Sequence, residues 1–176
     1  MKNIVLIGMS GVGKTQKGKY IARKMQKNYL DTDTVIVEQE CITIDEIFTK
    51  FGEKHFRSIE ENVIKKISTL ENSVISAGGG IVLRKTNMEL LKASSFIVYL
   101  KGDINTIVDN LKQSNTIRPL LKNSEDLYKS VCELYKSREG LYQLYSHITI
   151  DIKNKSNKDI YNEVFSAYNE YITCDK

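Results

Sequence analysis

The stretch Gly8-Met9-Ser10-Gly11-Val12-Gly13-Lys14-Thr15 fits the pattern GxxxxGK[ST] at every fixed position. No other feature limits the possible folds as much, because such a loop needs a strand on one side and a helix N-terminus on the other. Residues 4–7 form a continuous apolar run, as in a strand buried on both faces. From residue 15 to about 27, Ile21 and Met25 fall four apart among lysines, the spacing of one helical face. Glycines let the backbone curl closely around an anion. The helix start adds unpaired N–H groups and the positive end of its dipole. Lys14 can reach the β- and γ-phosphates of a nucleotide, and the Thr15 hydroxyl can ligate Mg²⁺.

The rest of the chain alternates strand and helix signals. A short strand is expected to end at Asp31, before DTDTVIVEQE. Thr43-Ile44-Asp45-Glu46 is a capping box, opening a helix that Gly52 breaks. Residues 53–70 read as the next helix, with Phe56, Ile59, Val63, Ile64 and Ile67 as its apolar stripe. Strands are expected at 74–76, 94–100 and over HITIDI, and helices at 104–111, 125–144 and 157–172. No hairpin signal, internal repeat or linker interrupts this. The pattern predicts a single α/β domain over 1–176, a parallel sheet covered by helices on both sides.

Bulk composition removes several function classes. Net charge is +4, from 26 basic and 22 acidic residues, and it is scattered rather than gathered in a stripe, which speaks against nucleic acid as a partner. Cys41, Cys132 and Cys174 are odd in number and far apart, and the histidines are only His55 and His147, which leaves neither a zinc motif nor a disulfide framework. The N-terminal apolar run is too short for a secretory signal, and no window approaches a membrane span. The expectation is a cytoplasmic protein without a membrane partner, most simply a monomer.

The loop alone does not distinguish a kinase from a GTPase or a motor. A guanine-reading Asn-Lys-x-Asp element is absent, since residues 154–159 carry its letters in the wrong spacing, and no Asp-x-x-Gly follows. What remains is a small kinase with a compact acceptor. Asp31-Thr32-Asp33 follows the second strand, where ligands of parallel sheets collect. One carboxylate there can hold Mg²⁺ and the other can orient an acceptor hydroxyl, although Asp at such a place can also be a helix cap. Arg57 and Glu60 lie three apart: a surface ion pair, or a glutamate aiming an arginine at an anion. Gly78, Gly79 and Gly80 follow a strand, as either a flexible turn or a close approach to ligand. Arg118 sits in the polar segment 113–124, which reads as a mobile lid over ATP, and Arg138 in YKSREGLY is a further candidate for a planar anion. Arginine is sparing, with Arg23 and Arg84 completing the set.

GMSGVGKT, LDTD, FRSIEE, ISAGGG, IRPLL and KSREGLY occur in the order and approximate spacing of the shikimate kinase family, and the chain resembles that family from about Ile4 to Ile172. The resemblance implies a P-loop NTPase-type three-layer fold like that of nucleoside monophosphate kinases, with a five-stranded parallel sheet. It implies phosphorylation of the 3-hydroxyl of shikimate by ATP with Mg²⁺, a step in aromatic amino-acid synthesis. By that resemblance Gly11, Val12, Gly13, Lys14, Thr15, Gln16 and Arg118 bind ATP, and Asp33, Lys14 and Arg118 are catalytic. Asp33, Arg57, Gly78, Gly79, Gly80 and Arg138 bind shikimate, within a substrate-binding segment 31–70 and beyond it, and Thr15 and Asp31 belong to the metal. A gluconate-type acceptor is the alternative, since it too offers one carboxylate and several hydroxyls; a nucleotide-binding protein without catalysis would have lost Lys14, Asp33 or an arginine, and none is lost. Two departures stand out. Gln16 replaces a small hydroxyl residue, and residues 150–159 have Asp151 but neither the arginine nor the proline expected beside adenine, leaving Asn154 or Lys155 for that contact.

Overall fold

The computed structural model describes residues 2–114 and 126–174. The elements run β1 (Asn3–Ile7), α1 (Lys14–Met25), β2 (Asn28–Asp31), α2 (Thr32–Glu40), α3 (Ile44–Ile67) and β3 (Ser73–Ser76). A 3-10 turn (Ile81–Leu83) leads into α4 (Lys85–Ser94), β4 (Ser95–Lys101), α5 (Ile104–Gln113), α6 (Leu127–Tyr145), β5 (Ile148–Asp151) and α7 (Asn157–Cys174). All pairings in the sheet are parallel and the strand order is β2-β3-β1-β4-β5. Central β1 pairs Ile4 with Val74 on one side and with Phe96 on the other.

The apolar run of β1 is explained by the two cores it separates. Val5 and Ile7, with Ile75, Ile97 and Tyr99, face α3, α4 and α6 through Val63, Ile64, Met88, Leu91, Val131 and Tyr142. Ile4 and Leu6, with Val74, Phe96 and Val98, face α1 and α7 through Ile21, Ala22, Ile160, Val164 and Tyr168. Alternate side chains of one strand thus serve opposite layers. Gly18 lets α1 lie close on the sheet, since a Cβ there would stand 2.7 Å from both Ser76 Oγ and a Tyr29 ring carbon.

Two elements were not read from the sequence, α2 after Asp31 and α4. The helical run over 44–67 is interrupted at Gly52 (φ 79°, ψ 170°), where a break was expected. The Thr43–Glu46 capping box forms as read, with Thr43 Oγ1 accepting from the Glu46 amide and the Glu46 carboxylate accepting from the Thr43 amide. No described helix is long and apolar enough to cross a membrane.

Candidate active site

The carboxyl ends of β1, β2 and β3 release the chain on the same edge of the sheet, so their three loops meet. After β1, the backbone of residues 8–13 turns through positive φ at Gly8, Gly11 and Gly13, and Gly13 then caps α1. Gly11 is needed for contact as well as conformation: a Cβ there would come within 2.9 Å of the Ile107 carbonyl and of Leu111 Cγ. Asn110 from α5 donates to the Gly11 carbonyl at 2.7 Å. Lys14 folds back along the loop, its Nζ donating to the carbonyls of Gly8 (2.8 Å) and Met9 (2.9 Å). A cavity of about 410 Å³ opens over this loop, lined by Ser10, Gly11, Gly13, Lys14, Thr15 and Gln16 on one side and Asp31, Asp33, Gly78 and Gly79 on the other. Val12 is not part of the lining; its side chain is buried in the core and its amide donates to the Met9 carbonyl.

Asp31 is both a helix cap and a cavity residue. Its Oδ1 accepts from the Asp33 amide at 3.1 Å, starting α2, while Oδ2 accepts from the Thr15 hydroxyl at 2.9 Å and from the Tyr29 hydroxyl at 3.3 Å. Two hard oxygens, one hydroxyl and one carboxylate, therefore adjoin at the mouth of the phosphate loop. That donor set fits Mg²⁺, which keeps most of its waters and takes one or two protein oxygens beside phosphate. Among the described residues no group of three or more acidic, histidine or cysteine side chains forms a larger metal cage.

The three glycines are the junction of the remaining groups. A Cβ on Gly78 would lie 2.7 Å from Asp33 Oδ1 and 3.5 Å from Glu60 Oε1. One on Gly79 would lie 2.9 Å from Ser10 Oγ, and one on Gly80 would run into the Arg57 guanidinium. The Gly79 carbonyl accepts from Arg138 Nη1 at 3.4 Å and from the Tyr142 hydroxyl at 2.5 Å. The Gly78 amide donates to Thr32 Oγ1 at 2.9 Å, tying the turn to α2. Asp33, Arg57, Arg138 and the phosphate loop are thus brought against one turn. Asp33 faces the cavity; Arg57, Gly80 and Arg138 do not line it, and both arginines are buried.

Arg57 and Glu60 are not a surface pair. Glu60 is 1% exposed, and Arg57 Nη1 donates to both its oxygens at 3.0 and 3.1 Å. Glu53, half-exposed, accepts from Arg57 Nε and Nη2 at 3.3 and 3.0 Å. Burial pushes the Glu60 carboxyl up, against the pull of Arg57, and the nearby Asp33 carboxylate adds to the rise. Burial weighs against the Arg57 charge too, but Glu60 and Glu53 outweigh it and the guanidinium pKa is raised.

Arg118, with almost all of segment 113–124, falls outside the described residues. Lys155 is paired with Glu163 at 2.7 Å, and neither it nor Asn154 lines the cavity. Conversely, Lys17, Asn110, Glu53 and Tyr142 stand at the site without having been singled out. Glu53 and Tyr142 lie four before Arg57 and four after Arg138, a spacing that puts each on its arginine's face.

Comparison with known proteins places the chain in a family. The family model for shikimate kinase matches residues 10–169. The shikimate kinase of Thermodesulfovibrio yellowstonii is 42% identical over 170 residues, covering 96% of this chain and 95% of its own. Among solved structures, that of the Acinetobacter baumannii shikimate kinase in complex with shikimate superposes with a TM-score of 0.90 at 30% identity, covering 100% of this chain and 95% of the other. A Sinorhizobium meliloti gluconokinase reaches only 0.60 at 15% identity over 98% and 97% of the two chains, a likeness of fold.

Proposed function

The chain belongs to the shikimate kinase family and is an ATP-dependent kinase of shikimate, and we propose that the residues converging on Gly78–Gly80 carry out the transfer to the 3-hydroxyl. The observation that carries this reading is the turn itself, which holds Asp33, Arg57 and Arg138 against the loop bearing Lys14. Shikimate offers one carboxylate and three hydroxyls, and the residues around the glycine turn offer two arginines and one aspartate in reply.

The amides of the loop and of the first turn of α1, with Lys14 and Gln16, hold the phosphate chain. Lys14 exchanges the Gly8 and Met9 carbonyls for phosphate oxygen, a move that its flexible stem permits. Thr15 and Asp31 would hold Mg²⁺, Asp31 through water. The chemistry that the ion supplies when bound is neutralisation of charge across the β- and γ-phosphates. Arg57 and Arg138 grip the acceptor's carboxylate, and the backbone of the glycine turn lies against the ring hydroxyls. Asp33 accepts a hydrogen bond from the 3-hydroxyl and aligns its oxygen with the γ-phosphorus. Phosphoryl transfer passes through a loose transition state, so alignment matters more than early deprotonation. Arg118 supplies a further cation to the transferred group. We place this activity in a cytoplasmic protein, on the support that its cysteines are free thiols.

A coupled ADP-release assay with shikimate, gluconate and nucleoside monophosphates side by side tests the reading. Turnover is expected with shikimate, and Lys14→Ala and Asp33→Asn should each lower kcat by about 100-fold or more. Turnover of gluconate with none of shikimate would overturn it.

A further inference from the structure

We propose that Lys17 is a second cation for the nucleotide, holding the nucleoside-side part of the phosphate chain while Lys14 serves the end that is transferred. The inference rests on the reading that this loop binds ATP. Its first support is where the two ammonium groups stand. Lys14 Nζ hydrogen bonds to Gly8 and Met9 at the β1 end of the loop. That end adjoins the acceptor pocket, because a Cβ on Gly79 would lie 2.9 Å from Ser10 Oγ and 3.6 Å from the Gly8 carbonyl. Lys17 Nζ donates to the Val12 carbonyl at the helix end, 3.1 Å away, and stands over Gly13, where a Cβ would meet it at 2.6 Å. Both lysines line the same cavity. They bracket the loop, and only one bracket touches the acceptor side.

The second support is electrostatic. Lys14 and Lys17 are three apart at the start of α1, whose first turn contains no acid. Like charges at that spacing repel, and both oppose the positive end of the helix dipole. Lys17 is also half-buried, and its hydrogen bond goes to a neutral carbonyl. A surface lysine would ordinarily extend its head into water. Turning inward over the loop is unfavourable on all three counts until a polyanion lies there, and an ammonium point charge suits phosphate oxygens. The rival role is purely structural, a lysine that caps the Val12 carbonyl.

Calorimetric binding of ADP to the full chain separates the two, using wild type, Lys17→Met, Lys17→Gln and Lys17→Arg. Glutamine keeps a donor for Val12 and removes the charge. A cation role predicts ADP binding about tenfold weaker in both neutral variants and within about threefold of wild type in Lys17→Arg. In turnover the ATP KM should rise by a similar factor, with kcat at saturating ATP falling less than about threefold and the shikimate KM unchanged, unlike the kcat loss of Lys14→Ala. Lys17→Gln binding ADP as wild type does, or Lys17→Arg as weak as Lys17→Met, would overturn the proposal. Wild type that failed to bind ADP would instead overturn the ATP reading beneath it. If Lys17→Met does not fold, Lys17→Gln decides alone.

Discussion

Arg57 reaches the glycine turn already engaged, and its two acids are not equivalent. Glu60 is buried, so its removal would leave Arg57 Nη1 without its carboxylate inside the protein, with only the half-exposed Glu53 still paired to the guanidinium, at a cost of several kcal/mol. The Glu53 side chain is 46% exposed and can swing out to water. It covers Nε and Nη2, the edge with which arginine grips a carboxylate in two parallel bonds. On the role proposed for Arg57, Glu53 competes with the acceptor's own carboxylate. Glu53→Gln should lower the shikimate KM about two- to fivefold and leave the ATP KM unchanged in steady-state assays; a raised shikimate KM would mean that Glu53 positions Arg57 instead. The i, i+3 spacing of Arg57 and Glu60 was visible in the sequence, but its burial was not, because that depends on how α3 docks. Tyr142 escaped notice for a related reason. A tyrosine on an amphipathic helix reads as core, and it is core, stacked on Tyr99 at 5.0 Å, while its hydroxyl reaches Gly79.

Elements declared themselves where local chemistry was strong. The apolar run of β1, the glycine loop and the Thr43 capping box each carry their own start or stop signal, and each formed as read. α2 did not declare itself, since Val35, Ile36 and Val37 are consecutive and β-branched, a run that favours strand. It is helical because Asp31 caps it and because Thr32 is fixed from above by the Gly78 amide, a contact across the sheet that no local pattern contains. α4 is short, with Met88 and Leu91 as its buried apolar positions, too few to establish a period. The start of α3 lies away from the pocket and offers a test of local against global effects. Thr43→Ala should cost about 1 kcal/mol of stability, read by urea denaturation, with kcat and both KM values unchanged.

The whole molecule joins these parts through one sheet between two apolar layers. Leu6 is fully buried and points from the central strand toward α1, close to Gly18. Leu6→Ala should cost roughly 2–5 kcal/mol, and saturating ADP should restore part of the lost melting temperature, because only the folded chain binds it. The loop bearing Lys14, together with Asp33, Arg57 and Arg138, is brought against the Gly78–Gly80 turn from five separate stretches of chain, gathered by parallel crossovers. Those stretches meet only when the parallel sheet has closed, so the constellation has no local rehearsal in the unfolded chain.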